Sequence, residues 1–140
     1  MTFATEYLET NILTATPHQL HLMVIDGAIR HATGAETALQ SRDFGQGQTQ
    51  LSRANQFVAE LIGGLDSTRQ PQVVDRLKSV FVYVQRTLAD AERKHDPQLV
   101  TDALAVLRLH RKTWVALGEQ LAQEAASHCP PPHTGFSWST

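Results

Sequence analysis

Seven histidines and a single cysteine are the residues of this chain best equipped to bind a metal or move a proton. Their spacing decides whether they can act together. Glu92 and His95 form a Glu-x-x-His pair, which places a carboxylate and an imidazole on one helix face. Di-metal bundles need two such pairs and two further inward-facing glutamates. The chain offers one pair, at the end of a helix beside a loop. His18 and His21 are three apart with no third ligand in view, and read as a solvated pair. His110 falls on an apolar stripe, the usual setting of a hydrogen-bonded core histidine. His128, Cys129 and His133 share a proline-rich tail and would catch a metal only adventitiously. A Gly-x-Ser-x-Gly elbow, a phosphate-cradling glycine loop and a cysteine pair are all absent from the sequence. The expectation is a protein with no catalytic site, no metal and no cofactor.

The balance of charge narrows the partners. Twelve Lys and Arg stand against 14 Asp and Glu, a formal net charge of −2, and no basic block of five or six occurs. Phosphate recognition relies on clustered cations, so nucleic acid is not the expected partner. Cys129 has no second cysteine to pair with. The first residues lack the charged and apolar regions of a secretory signal. No apolar run approaches the roughly 20 residues of a membrane span. A soluble, cytoplasmic, single-domain protein is expected, and at 140 residues such a domain buries roughly 68–70% of its unfolded surface without a staple.

The elements that would hold these residues are helices. Val74, Leu77, Phe81, Val84, Leu88 and Ala91 alternate three and four apart, as do Val100, Ala103, Leu107, His110, Trp114, Leu117 and Leu121. Leu51, Ala54, Val58, Leu61 and Leu65 repeat the pattern. This is the seam of helices packed at shallow angles. A further helix starts at Thr16-Pro17-His18-Gln19, a capping box with proline in the first turn. It carries a bulky stripe (Leu22, Ile25, Ile29, Ala32, Leu39) and a small-sided one (Leu20, Val24, Gly27, His31, Gly34, Ala38). Tight packing within the bundle is the favoured reading of the second stripe. Asp43-Phe44-Gly45-Gln46, Pro71 and Asp96-Pro97 open the other helices, and Gly63-Gly64 weakens the second near its end. Short loops make neighbours antiparallel, so the expected fold is all-α: an antiparallel up-down four-helix bundle with a short extra N-terminal segment.

Residues 16–126 would form the bundle and residues 127–140, with Pro130-Pro131-Pro132, a disordered tail. In residues 1–15, Phe3, Tyr7, Leu8, Ile12 and Leu13 give about one apolar residue per turn. A helix this short is marginal in water unless it lies on the bundle. Both a detachable cover and a permanently docked fifth helix fit that stretch. Val82, Leu109 and Val115 fall near the outward face of their helices, where apolar side chains suggest contact with that segment or a groove for a partner helix.

Three blocks of sequence carry a resemblance. Tyr7 through Gly27, YLETNILTATPHQLHLMVIDG, resembles the start of FliS-type flagellin secretion chaperones. These carry a tyrosine ten residues ahead of an Ala-Ser/Thr-Pro turn, then Leu-x-x-Met-Leu-Tyr-Asp/Asn-Gly-Ala. Tyr7 and Pro17 keep that separation, and Leu20, Met23, Asp26, Gly27 and Ala28 match. Phe81, Tyr83, Arg86, Leu88, Ala91 and Asp96 fall in step with the family's third helix. His110, Arg111 and Trp114 follow its closing Leu-x-x-Leu-Arg-x-x-Trp. The departures are Val24-Ile25 for Leu-Tyr, Val82 for an aspartate, Thr87 for the second arginine, Glu92 for an asparagine, and Gly45 and Gly47, which loosen the start of the second helix.

The resemblance implies a cytoplasmic chaperone whose bundle binds the carboxy-terminal segments of flagellin, blocks premature polymerisation and presents the cargo to the flagellar type III export gate. The residues it points to for partner binding are Tyr7, Leu8 and Ile12 in the N-terminal cover, Leu20, Met23, Val24 and Gly27 on the first helix, and Tyr83, Arg86 and Leu109. Exposed apolar surface would also support a homodimer when no client is bound. A bundle of the same ancestry serving a different secreted or regulatory protein is the alternative.

Overall fold

A computed structural model describes residues 16–65 and 70–128, with the backbone alone at His128. These residues form four helices and no strand: α1 (Pro17–Gln40), α2 (Phe44–Gly63), α3 (Pro71–Lys94) and α4 (Pro97–His128). The helices start where the sequence supplies caps. The Gln19 N–H donates to Thr16 Oγ1 at 3.1 Å while the Thr16 N–H donates to Gln19 Oε1 at 3.0 Å, closing the capping box. Asp43 accepts from the Gln46 N–H at 3.2 Å, and Asp96 from the Gln98 N–H at 2.9 Å. Pro17, Pro71 and Pro97 take first-turn positions, where a missing N–H breaks no helical bond. At the other ends, Gly64 closes α2 through its N–H to the Glu60 carbonyl, and His95 ends α3 with a left-handed φ of 51°.

Contacts between helices fix the order. Gly27 and Gly34 of α1 lie against Phe57 and Gln50 of α2, so the two run antiparallel. Asn55 of α2 donates to the Gln85 carbonyl of α3 at 3.4 Å, and Phe44 stacks on His95 at 4.2 Å. Phe81 of α3 meets His110 of α4. The last helix returns to the first where Thr101 donates to Glu36 and Trp114 to the His18 carbonyl. The result is an up-down antiparallel four-helix bundle around one core.

That core contains Ile25, Leu51, Leu61, Phe81, Leu88, Leu104 and Leu107, all fully buried. The seams expected for α2 and α3 are buried or half-buried along their whole length. The seam of α4 holds only as far as Trp114. Beyond it Leu117 and Leu121 are 38% and 51% exposed. Ile25, at the position where the resembled family has tyrosine, is completely buried, so an apolar side chain completes the core there.

The small-sided stripe of α1 packs against α2. A Cβ at Gly27 would stand 2.6 Å from the Phe57 ring, inside any real contact distance. Gly47 likewise makes room for Leu39, whose methyl would lie 2.8 Å from an added Cβ. The sequence reading of Gly47 as loosening α2 is therefore corrected: glycine there allows close approach of two helices. Gly45, by contrast, faces open space.

Candidate functional site

The exposed large hydrophobic side chains share one region of the bundle. They are Leu20 at the start of α1, Val73, Val80 and Tyr83 in α3, and Leu109, Leu117 and Leu121 in α4. The register set by Phe81 against His110 puts all seven between mid-height and the end where α1 and α3 begin. The opposite end, built by the α1–α2 and α3–α4 turns, has no exposed large hydrophobic among the described residues.

Helix length explains the asymmetry. α4 has 32 residues against 24 in α1. Gly118 is level with His18, whose ring fills the space a Cβ at Gly118 would need. Every residue from Glu119 to Ser127 is exposed. About ten residues, or roughly 15 Å of helix at 1.5 Å per residue, therefore project past the start of α1. Leu121 keeps the seam spacing in this overhang, past the described helices, while Leu117 lies level with the first turn of α1 and is partly covered by it.

Between this end and the core lies a cluster of rings joining α1, α3 and α4. His18 stacks on Trp114 with centroids 5.0 Å apart and planes 9° apart. Its Nε2–H donates to the Trp114 carbonyl at 2.8 Å, and the indole N–H donates back to the His18 carbonyl at 3.0 Å. His21 leans on Trp114 at 4.1 Å and shares a hydrogen bond with His110, Nε2 to Nε2, at 3.0 Å. His110 stands edge-on to Phe81 at 5.0 Å. Burial, followed by the charges of His110 and His18, lowers the His21 pKa to about 4. Burial also lowers that of His110. Next to the cluster, Arg111 pairs with Asp26 at 2.5 Å, which raises the guanidinium pKa further.

The residues singled out from sequence fall on several faces. Leu20 and Leu109 are 38% and 66% exposed, and Met23 is half-buried. Val24 is half-buried against the core, and Gly27 is buried beneath Phe57. Tyr83 and Arg86 border a shallow open groove with Asp75, Lys78, Ser79 and Val82. Tyr83 and Leu109 stand at nearly the same height on neighbouring helices. Tyr7, Leu8 and Ile12 lie outside the described residues. Val73, Leu117 and Leu121 were not read as surface from the sequence. For Leu121 the unequal helix lengths carried that signal, since α4 runs on for more than three turns after Trp114. The Glu92-x-x-His95 pair sits at the opposite end, in a groove shared with Leu39, Phe44, Gln48, Leu51, Ala89 and Arg93. Among the described residues no three His, Cys, Asp or Glu side chains converge as metal ligands. No described helix is long and apolar enough to cross a membrane.

Residues 2–121 match the family model for flagellar protein FliS. The chain belongs to the FliS family. It is 26% identical over 113 residues to the flagellar secretion chaperone FliS of Salmonella typhimurium, covering 80% of this chain and 84% of that one. Against the flagellar secretion chaperone FliS of Vibrio cholerae it is 21% identical, with 76% and 79% covered. The Bacillus subtilis protein of the same name is 24% identical, with 79% and 81% covered. These FliS relatives are chaperones by name rather than enzymes. The family match spans all four helices as far as Leu121, so the exposed apolar end belongs to the FliS portion of the chain.

Proposed function

We propose that this chain is a cytoplasmic export chaperone that binds the carboxy-terminal segments of flagellin, holds them from premature polymerisation and aids their delivery to the flagellar type III export gate. The observation that carries the reading is the collection of Leu20, Val73, Val80, Tyr83, Leu109, Leu117 and Leu121 in one half of the bundle, while the other half exposes no large hydrophobic among the described residues. A client that is disordered alone gains helix by laying an apolar face on such a surface, and the buried area offsets the cost of ordering it. Tyr83 and Arg86, side by side on α3, supply a hydroxyl and a cation to anchor the client's polar groups.

Residues 1–15 join the bundle at Thr16, at this same end. Tyr7, Leu8 and Ile12 cover the apolar surface until a client helix replaces them. Without either cover, the surface supports pairing of two copies.

The test is size-exclusion chromatography with light scattering on the full chain mixed with the carboxy-terminal segment of flagellin from the same organism. A one-to-one complex, more helical by circular dichroism than the sum of its parts, is the expected result. A folded chain that elutes alone overturns the flagellin assignment and points to a different secreted or regulatory client.

A further inference from the structure

The ring cluster at the α1–α4 junction has no part in the client reading, and its chemistry is unusual for a helix interface. Two imidazoles from different helices face each other through the same ring nitrogen, His21 Nε2 to His110 Nε2 at 3.0 Å. That bond needs one protonated and one bare nitrogen, so the pair is held while it carries at most one positive charge. When both rings are charged, both nitrogens are donors, the bond is lost and two like charges stand in contact.

We propose that the His21–His110 pair is an acid-labile clasp that fastens the beginning of α1 to α4, and that charging both rings frees this end of α1 while the core beyond it stays folded.

The surroundings support local release. From α1 the pair is faced by His18, whose charge opposes a proton on His21. From α4, His110 itself and the indole of Trp114 face His21. From α3 the ring of Phe81 packs on both. The nearby charges Asp26 of α1 and Arg111 of α4 neutralise each other. Burial lowers the pKa of both imidazoles, and the neighbouring His110 and His18 lower that of His21 further. The other fastenings of this end include the His18–Trp114 stack with its two hydrogen bonds, the lean of His21 on Trp114 and, further along, the Asp26–Arg111 pair, and the helix start itself is exposed. Further along, α1 is anchored by the fully buried Ile25, Ala28 and Ala32, which sets the limit of the release.

The proposal is tested by amide hydrogen exchange on the full chain at pH 7 and at pH 4.5, expressed as protection factors to remove the intrinsic effect of pH. Protection across residues 18–23 is expected to fall by about tenfold or more at the lower pH, with residues 84–91 and 100–107 unchanged. His110→Leu, and His110→Gln should the leucine variant fold poorly, are expected to reduce that pH dependence clearly, leaving only the part that burial of His21 causes by itself. An equal loss throughout the bundle overturns the clasp as a local device. So does an unchanged start of α1 at pH 4.5, or a fall of the same size in a variant lacking the imidazole.

Discussion

Leu107 and Leu109 are two residues apart on α4 and have opposite surroundings: the first is completely buried and the second is 66% exposed. Leu107→Ala leaves a cavity in a close-packed core and should cost about 2–5 kcal/mol of stability in denaturant unfolding. Leu109→Ala should fall within about 0.5 kcal/mol of the parent, as surface substitutions usually do. Comparable costs at the two sites would mean that the seam is misplaced. His21 makes a second prediction. Its folded pKa of about 4 lies below the ordinary histidine value of 6.5, so between these values the unfolded chain binds more protons. Stability is therefore fully present above about pH 6.5, declines as pH falls towards 4, and loses nothing further through this group below that. The denaturant midpoint of His21→Leu should be less sensitive to that interval than the parent's. An identical slope would show that His21 does not carry the effect.

Among the elements, what the sequence made legible was whatever depends on nearby residues. Thr16 with Gln19, Asp43 with Gln46, and Asp96 with Pro97 mark helix starts because the bonds they make are local. The three-and-four spacing of α2 and α3 became core because both helices are covered along the whole seam. The same spacing misleads at Leu117, at the rim of the bundle, and at Leu121, beyond it, because burial there depends on where the neighbouring helices start, a property that no single helix records. His21 and His110 are 89 positions apart, so their meeting follows only from the register of α1 against α4. For the same reason His18 and His21 read as solvated from sequence, although they are built into the α1–α4 contact. Deleting residues 1–15 tests the element that lies outside the described residues. The bundle should keep its helical circular dichroism, because its core is complete without them, while binding of a dye for exposed apolar surface rises. Loss of the helical signal would make the segment part of the folding unit and exclude its displacement by a client.

At the scale of the whole molecule, the bundle is divided into a closed end and an apolar end. The closed end is sealed by short turns and by contacts such as Phe44 on His95. Among the described residues, the other end leaves apolar side chains exposed, because α4 outruns α1 at Leu121 and because α3 and α4 present Val73, Val80 and Leu109 outward. For a chaperone this division has a direct use. On the proposed function, the core would secure the fold whether or not a client is present, and the apolar end would bind helices of another chain at no cost to that core. Fold and family were both legible in advance, the first from periodicity and the second from three motif blocks in order. The grouping of the apolar residues at one end required the three-dimensional register.

The most direct test is titration calorimetry of the flagellin carboxy-terminal segment against the full chain and against two variants, Leu109→Asp with Leu117→Asp, and Thr49→Asp at the closed end. The parent should bind one-to-one with a negative heat-capacity change, the mark of apolar burial. The double variant should bind at least about tenfold more weakly, as expected when central apolar contacts are replaced by charge, while Thr49→Asp matches the parent. Undiminished affinity in the double variant, with its fold intact, would contradict the assignment of the apolar end as the client surface.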